Sequence, residues 1–178
     1  MKLISGKGTP KTGGCWMVAA TLYTTLGRAW HDHPECVSPL ICALCIKLND
    51  WCASDAERES LIGPHLFAPV GTNTTREDEH ARLVLVVAFA RAEAARAQKF
   101  ANTCAAADYA ADAAAYAAYA AYAAADAAAA ADAAADYAAR RRYMQLILDC
   151  CAIGTRSEVA CVRTPAEVCR MLDEAAAK

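Results

Sequence analysis

The sequence predicts an all-α protein, and three observations carry that expectation. The tract 105–139 holds 25 Ala, five Asp and five Tyr, with no Gly and no Pro. Ala has the highest helix propensity, so the tract reads as helix. Helix-start signals recur along the chain at Ser38-Pro39, Ser54 with Glu57, Thr75 with Asp78, and Thr164-Pro165-Ala166-Glu167. No segment alternates apolar and polar residues as a half-buried strand must.

Residues 1–14 are rich in Gly, Lys and Thr and read as a loop. A first helix is expected from Cys15 to Leu26, with Gly27 as its C-cap. A loop with His31-Asp32-His33-Pro34 follows. The Ser38 cap then opens a second helix running to about Trp51, and Ser54 opens a third that must stop before Pro64. A turn-rich linker leads to Thr75, where a fourth helix starts. No strong stop follows until about Asp149. That span is either one rod of about 75 residues, roughly 110 Å long at 1.5 Å per residue, or two antiparallel arms that break near Asn102-Thr103. A break is expected, because a lone rod would need an oligomer to bury its Ala face. Gly154 ends the segment, and Thr164 opens a C-terminal helix ending near Ala177. The expected organisation is a compact helical head, 1–74, followed by a long Ala-rich helical hairpin or rod with its C-terminal helix, 75–178, packed as a homo-oligomer.

Composition narrows the function. A net charge of −2 exerts no global pull on long nucleic acid or a membrane surface. The Ala tract is long enough to span a bilayer, but its Asp residues would be too costly in lipid. Ten Cys suggest a secreted disulfide scaffold. They sit inside apolar helical patterns, however, and the opening Met-Lys-Leu-Ile-Ser-Gly has no apolar run of signal-peptide length. Reduced, buried thiols in a cytoplasmic setting are expected instead.

Four constellations could carry chemistry. The loop with Lys7, Lys11, Thr12, Gly13 and Gly14 precedes a helix, and free amides with Lys charge suit an anion. Its spacing is not that of a Walker motif. Cys15 opens the first helix beside Trp16, and a helix N-terminus lowers a thiol pKa. Gly-x-Cys-Trp resembles the nucleophile region of papain-like cysteine proteases over about eight residues. That resemblance implies a Cys15 nucleophile with His31 or His33 as base, but without the strands such enzymes use. His31 and His33 with Cys42 and Cys45 supply zinc-type ligands. Cys42 and Cys45 lie in an apolar helix and read better as a core stripe, so no metal and no cofactor is expected. Asp108 and Asp112 alone do not make a metal cage.

The fourth constellation is the stripe of Tyr and Asp. At 100° per residue, Asp108, Asp112, Tyr116, Tyr119, Tyr122, Asp126 and Tyr137 share roughly one third to two fifths of the helix circumference. Arg140-Arg141-Arg142 closes the tract, and Arg141 continues the stripe. Tyr116, Tyr119 and Tyr122 can stack on a base, while Arg140 and Arg141 hold a phosphate. The competing reading is that Tyr and Asp only solubilise an Ala helix whose C-terminal Arg residues suit the macrodipole.

The order Gly-Gly-Cys-Trp-Met-Val-Ala-Ala, His-Asp-His-Pro-Glu-Cys-Val-Ser-Pro-Leu and Leu-Asn-Asp-Trp, then an Ala tract with Asp and Tyr, resembles a group of uncharacterised phage and bacterial proteins. The resemblance implies a bacterial host cytoplasm and a phage accessory role, with no defined activity. One class of such factors sequesters nucleotide immune signals without cleaving them. The leading expectation is therefore a non-enzymatic sponge for a small nucleotide-like anion, with Lys7, Lys11, Thr12, Gly13, Gly14, Trp16, His33, Tyr116, Tyr119, Tyr122, Arg140 and Arg141 as ligand contacts. A helical structural or protein-interaction module is the second reading, and a Cys15-dependent hydrolase the third.

Overall fold

A computed structural model describes residues 3–6, 8–9, 13–24, 32–100, 133–156, 159 and 161–177. Lys7, Lys11, Thr12, His31, the hinge expected at Asn102-Thr103 and the rings Tyr116, Tyr119 and Tyr122 lie outside these residues. The described chain is all-α. It contains α1 (Trp16–Thr24), α2 (Pro39–Trp51), α3 (Asp55–Ile62), a 3-10 turn at Gly63–His65, α4 (Arg76–Phe100), α5 (Ala133–Cys151) and α6 (Pro165–Ala176). Strand pairing among the described residues is limited to Gly8–Thr9 with Gly13–Gly14, which are antiparallel, and a bridge from Leu3 to Gly14.

The local start signals act as expected. Ser38 Oγ accepts from Ile41 N at 3.2 Å, and Ser54 Oγ accepts from Glu57 N at 3.1 Å. Thr75 and Asp78 pair reciprocally: Asp78 N donates to Thr75 Oγ1 at 3.1 Å and Thr75 N donates to Asp78 Oδ2 at 3.3 Å. Thr164 and Glu167 form a full capping box at the start of α6. The third helix stops at Ile62, and the 3-10 turn carries the chain through Pro64, whose ring cannot continue an α-helix.

Helix ends are closed by side chains from elsewhere in the chain. The last carbonyls of α2 have no partner within the helix. Arg58 of α3 supplies one, donating through Nε to Asn49 O at 2.7 Å and through Nη2 to Cys52 O at 3.1 Å. At the other end of α2, Glu79 of α4 accepts from Leu40 N at 3.1 Å and Ser38 Oγ at 2.6 Å. A carboxylate there also suits the positive end of the helix dipole.

The core is built on α1, α2, α5 and α6. In α1 every residue from Trp16 to Leu22 is buried, so this helix is enclosed rather than amphipathic. Trp16 Nε1 donates to Leu66 O at 2.8 Å, satisfying the only polar atom of a fully buried ring. Gly14 lets α1 and α6 close in: a Cβ there would lie 2.8 Å from Val18 Cγ1 and 2.9 Å from Leu172 Cδ2. In α6, Val168, Leu172 and Ala175 form the inward stripe at helical spacing. Each large side chain fully buried here contributes about 1.5–3 kcal/mol of transfer free energy.

The core crosses the boundary expected at residue 74. Val86, Tyr143, Met144, Ile147, Val168 and Leu172 pack in the same cluster as Trp16, Ile41 and Leu48. Helices α4 and α5 run antiparallel, since Arg82 meets Cys150, Phe89 meets Tyr143 and Glu93 meets Arg142. The thiols expected as small hydrophobes are buried at Cys15, Cys42, Cys45, Cys52, Cys150 and Cys151.

Candidate functional site

The three consecutive Arg residues do not form one clamp. Successive residues on a helix point about 100° apart, so each of the three meets a different surface. Arg140 is buried toward α3, donating through Nε to Glu57 Oε1 at 2.6 Å and through Nη1 to Asp136 Oδ2. Its guanidinium also lies 5.7 Å from the Trp51 ring centroid. Arg142 turns toward α4 and forms a bidentate pair with Glu93, at 2.9 and 2.8 Å. Only Arg141 of the three is exposed.

Arg141 lines a cleft of about 270 Å³ between α5 and the α3 end with its 3-10 turn. Helix α5 supplies Tyr137, Arg141, Met144, Gln145 and Leu148, a run at i, i+4, i+7, i+8 and i+11 that shares one face. Ser60, Leu61 and His65 form the opposite wall. Tyr137 is 41% exposed, one of the two exposed large hydrophobic side chains among the described residues. Of its apolar lining residues, Met144 is buried and Leu61 and Leu148 are half-buried. Gln145 Nε2 is tied to Asp149 Oδ1 at 2.8 Å. The cleft thus combines one exposed cation, an imidazole, a phenol ring and two neutral polar groups with the side chains of Leu61, Met144 and Leu148. Among the described residues no carboxylate belongs to its lining. That combination suits an anion carrying a flat or apolar portion. At about 270 Å³ the cleft lies just below the roughly 300–1,000 Å³ of pockets that enclose whole small molecules.

Two expected ligand contacts have structural roles instead. Trp16 is a fully buried core ring, and Gly14 is the close-approach point of α6. Core side chains occupy the surroundings of both. Gly13 belongs to the short strand pair. His33 is exposed on its turn, with Nδ1 2.9 Å from Asp32 Oδ1. The turn is held to α2 by Cys42 Sγ, which donates to Asp32 O at 3.1 Å.

An activated Cys15 is not what the packing produces. Burial pushes its thiol up, against the pull of the Val18 and Met17 amides at the start of α1. Desolvation disfavours the thiolate more than the helix end favours it. Burial likewise pushes Cys42 up to about 12 and Cys45 well above the usual thiol range. Without a metal these thiols stay protonated at neutral pH, as core groups do, and no group of three or more His, Cys, Asp or Glu among the described residues is placed to hold a metal ion.

Helical spacing puts Tyr137 and Arg141 on one stripe, but of the two the sequence names only Arg141 as a ligand contact. Sequence reasoning missed Ser60, His65 and Gln145 as partners. Pro64-His65 follows a helix, but nothing local shows that its loop faces α5.

Among the described residues no helix is long and apolar enough to cross a membrane. No protein family, curated protein or solved structure matches the chain.

Proposed function

We propose that the cleft between α3 and α5 binds a small anionic ligand of the nucleotide class and holds it without converting it. One observation carries this reading: Tyr137 and Arg141, one helical turn apart, line the same cleft as His65. A base would stack on Tyr137 and a phosphate would meet Arg141, with His65, Ser60 and Gln145 completing the hydrogen bonds. Lys7, Lys11 and the rings Tyr116, Tyr119 and Tyr122 are not needed by this reading. By analogy with phage accessory factors, the ligand is a nucleotide immune signal and the role its sequestration in the host cytoplasm.

The test is native mass spectrometry of the full chain incubated with a mixture of mononucleotides and cyclic dinucleotides, followed by calorimetry on any species that adds mass. The expected result is a retained nucleotide, released chemically unchanged on denaturation. Tyr137→Ala and Arg141→Ala should each weaken binding at least tenfold, about 1.4 kcal/mol. Binding unaffected by both substitutions would remove the cleft as the site. No nucleotide bound at millimolar concentration would sink the reading itself.

A further inference from the structure

Helix α4 carries two faces of different character. Its inner face presents Arg82, Val86 and Glu93, all buried, to α2 and α5. The outer face, on the opposite side by helical angle, runs through Glu77, Ala81, Val84, Ala88 and Arg91, all exposed. Val84 is 54% exposed, the most exposed large hydrophobic side chain among the described residues. It is flanked by Ala at 81 and 88, which let another helix approach to about 8 Å between axes.

Charge distinguishes this stripe from a merely small one. The other acidic and basic residues of α4 that face inward are engaged: Glu79 with Arg82, and Glu93 with both Arg96 and Arg142. Glu77 and Arg91 take part in no ion pair among the described residues. They sit seven residues before and seven residues after Val84, so all three lie on one line. Two copies of α4 crossing antiparallel at Val84 would bring Glu77 of each copy to Arg91 of the other. The pattern is self-complementary about a two-fold axis, which an isologous contact requires.

We infer that the outer face of α4 is a dimer interface, occupied by α4 of a second copy of this chain in antiparallel register about Val84. The contact pairs Val84 with Val84, sets Ala81 and Ala88 against the facing helix, and closes each end with a Glu77–Arg91 ion pair. A helix pair of this length falls at or below the roughly 1,200 Å² of stable interfaces, so the dimer is reversible and concentration-dependent.

Sedimentation velocity on the full chain over a dilution series tests it. The expected result is a monomer–dimer equilibrium that Val84→Glu shifts to monomer. Glu77→Arg alone, or Arg91→Glu alone, should weaken dimerisation by about tenfold through like-charge contacts at both ends. The double reversal Glu77→Arg with Arg91→Glu should restore it, and that recovery guards against a mere folding defect. A chain monomeric throughout the series overturns the inference. So does a dimer that survives Val84→Glu, which would place the contact elsewhere, or a double reversal no better than either single one. Nucleotide binding is read independently, so failure here leaves the cleft untouched.

Discussion

Arg82 of α4 closes the end of α5: its Nε donates to Cys150 O at 3.2 Å and its Nη2 to Ile153 O. The other edge of the same guanidinium meets Glu79 Oε2 at 3.0 Å, and Nη2 also reaches Thr74 Oγ1 at 3.2 Å. Arg82 is fully buried. A buried cation is costly unless its donors are all met, and here a single side chain joins α4, the end of α5 and the cap of α2.

Removing that group leaves open carbonyls and a carboxylate without its partner. Arg82→Met should therefore destabilise the fold by about 3–5 kcal/mol. Arg82→Lys should recover little, because an ammonium cannot span the same set of acceptors. Urea denaturation followed by circular dichroism measures both. A loss below about 1 kcal/mol in Arg82→Met would show that the network contributes little net stability.

Stability should fall at both ends of the pH scale, for separate reasons. Burial works against ionisation of Glu93, but the Arg142 and Arg96 guanidinium groups outweigh it and hold the carboxyl below its usual 4.5. As pH drops, the unfolded chain takes up that proton first. The contribution is full above about pH 4.5 and is lost as pH falls through the lower folded value. At the alkaline end, burial pushes Cys42, Cys150 and Cys151 up from 9.0 to about 12. Between those values the unfolded chain releases protons that the folded chain retains, so stability declines as pH rises. Urea midpoints at pH 7, 10 and 11 read this limb. Replacing both Cys150 and Cys151 by Ala should flatten it, and an unchanged slope in that variant would exclude these thiols as the cause.

Gly154 has φ +62°, and a Cβ built on it would run into the Asp78 carboxylate. That carboxylate is the cap accepting from Thr75 N. Gly154→Ala should cost about 1–3 kcal/mol from the left-handed backbone and the displaced cap together. Thermal unfolding gives the value, and a variant as stable as the parent would show that the turn relaxes freely.

Arg140 and Arg141 are adjacent and should behave oppositely. Arg140→Ala strips the cation from Glu57 and Asp136 and should destabilise by about 3 kcal/mol. Arg141→Ala removes an exposed side chain and should change stability by less than about 0.5 kcal/mol while reducing nucleotide binding. Paired unfolding and calorimetry experiments separate the two. Equal stability losses would contradict the division of roles.

The sequence alone determined the all-α class and the starts of α2, α3, α4 and α6. Caps at Ser38, Ser54, Thr75 and Thr164 act on amides within three residues, so their signal is local and complete. It also marked Cys42 and Cys45 as core residues, because helical spacing places them on one apolar face. Only the tertiary structure decided where the charged side chains go. Arg140, Arg141 and Arg142 are the same residue type on one turn, yet one is buried on Glu57, one faces a cleft and one grips Glu93. Trp16 and Gly14 are buried packing residues for the same reason. Helical phase states which residues share a face, but the element that covers that face comes from 40 or more residues away, as Leu66 does for Trp16. The sign of a thiol shift is equally non-local: the helix end at Cys15 is written in the chain, whereas the burial that overrides it arises only when α2 and α6 close over α1.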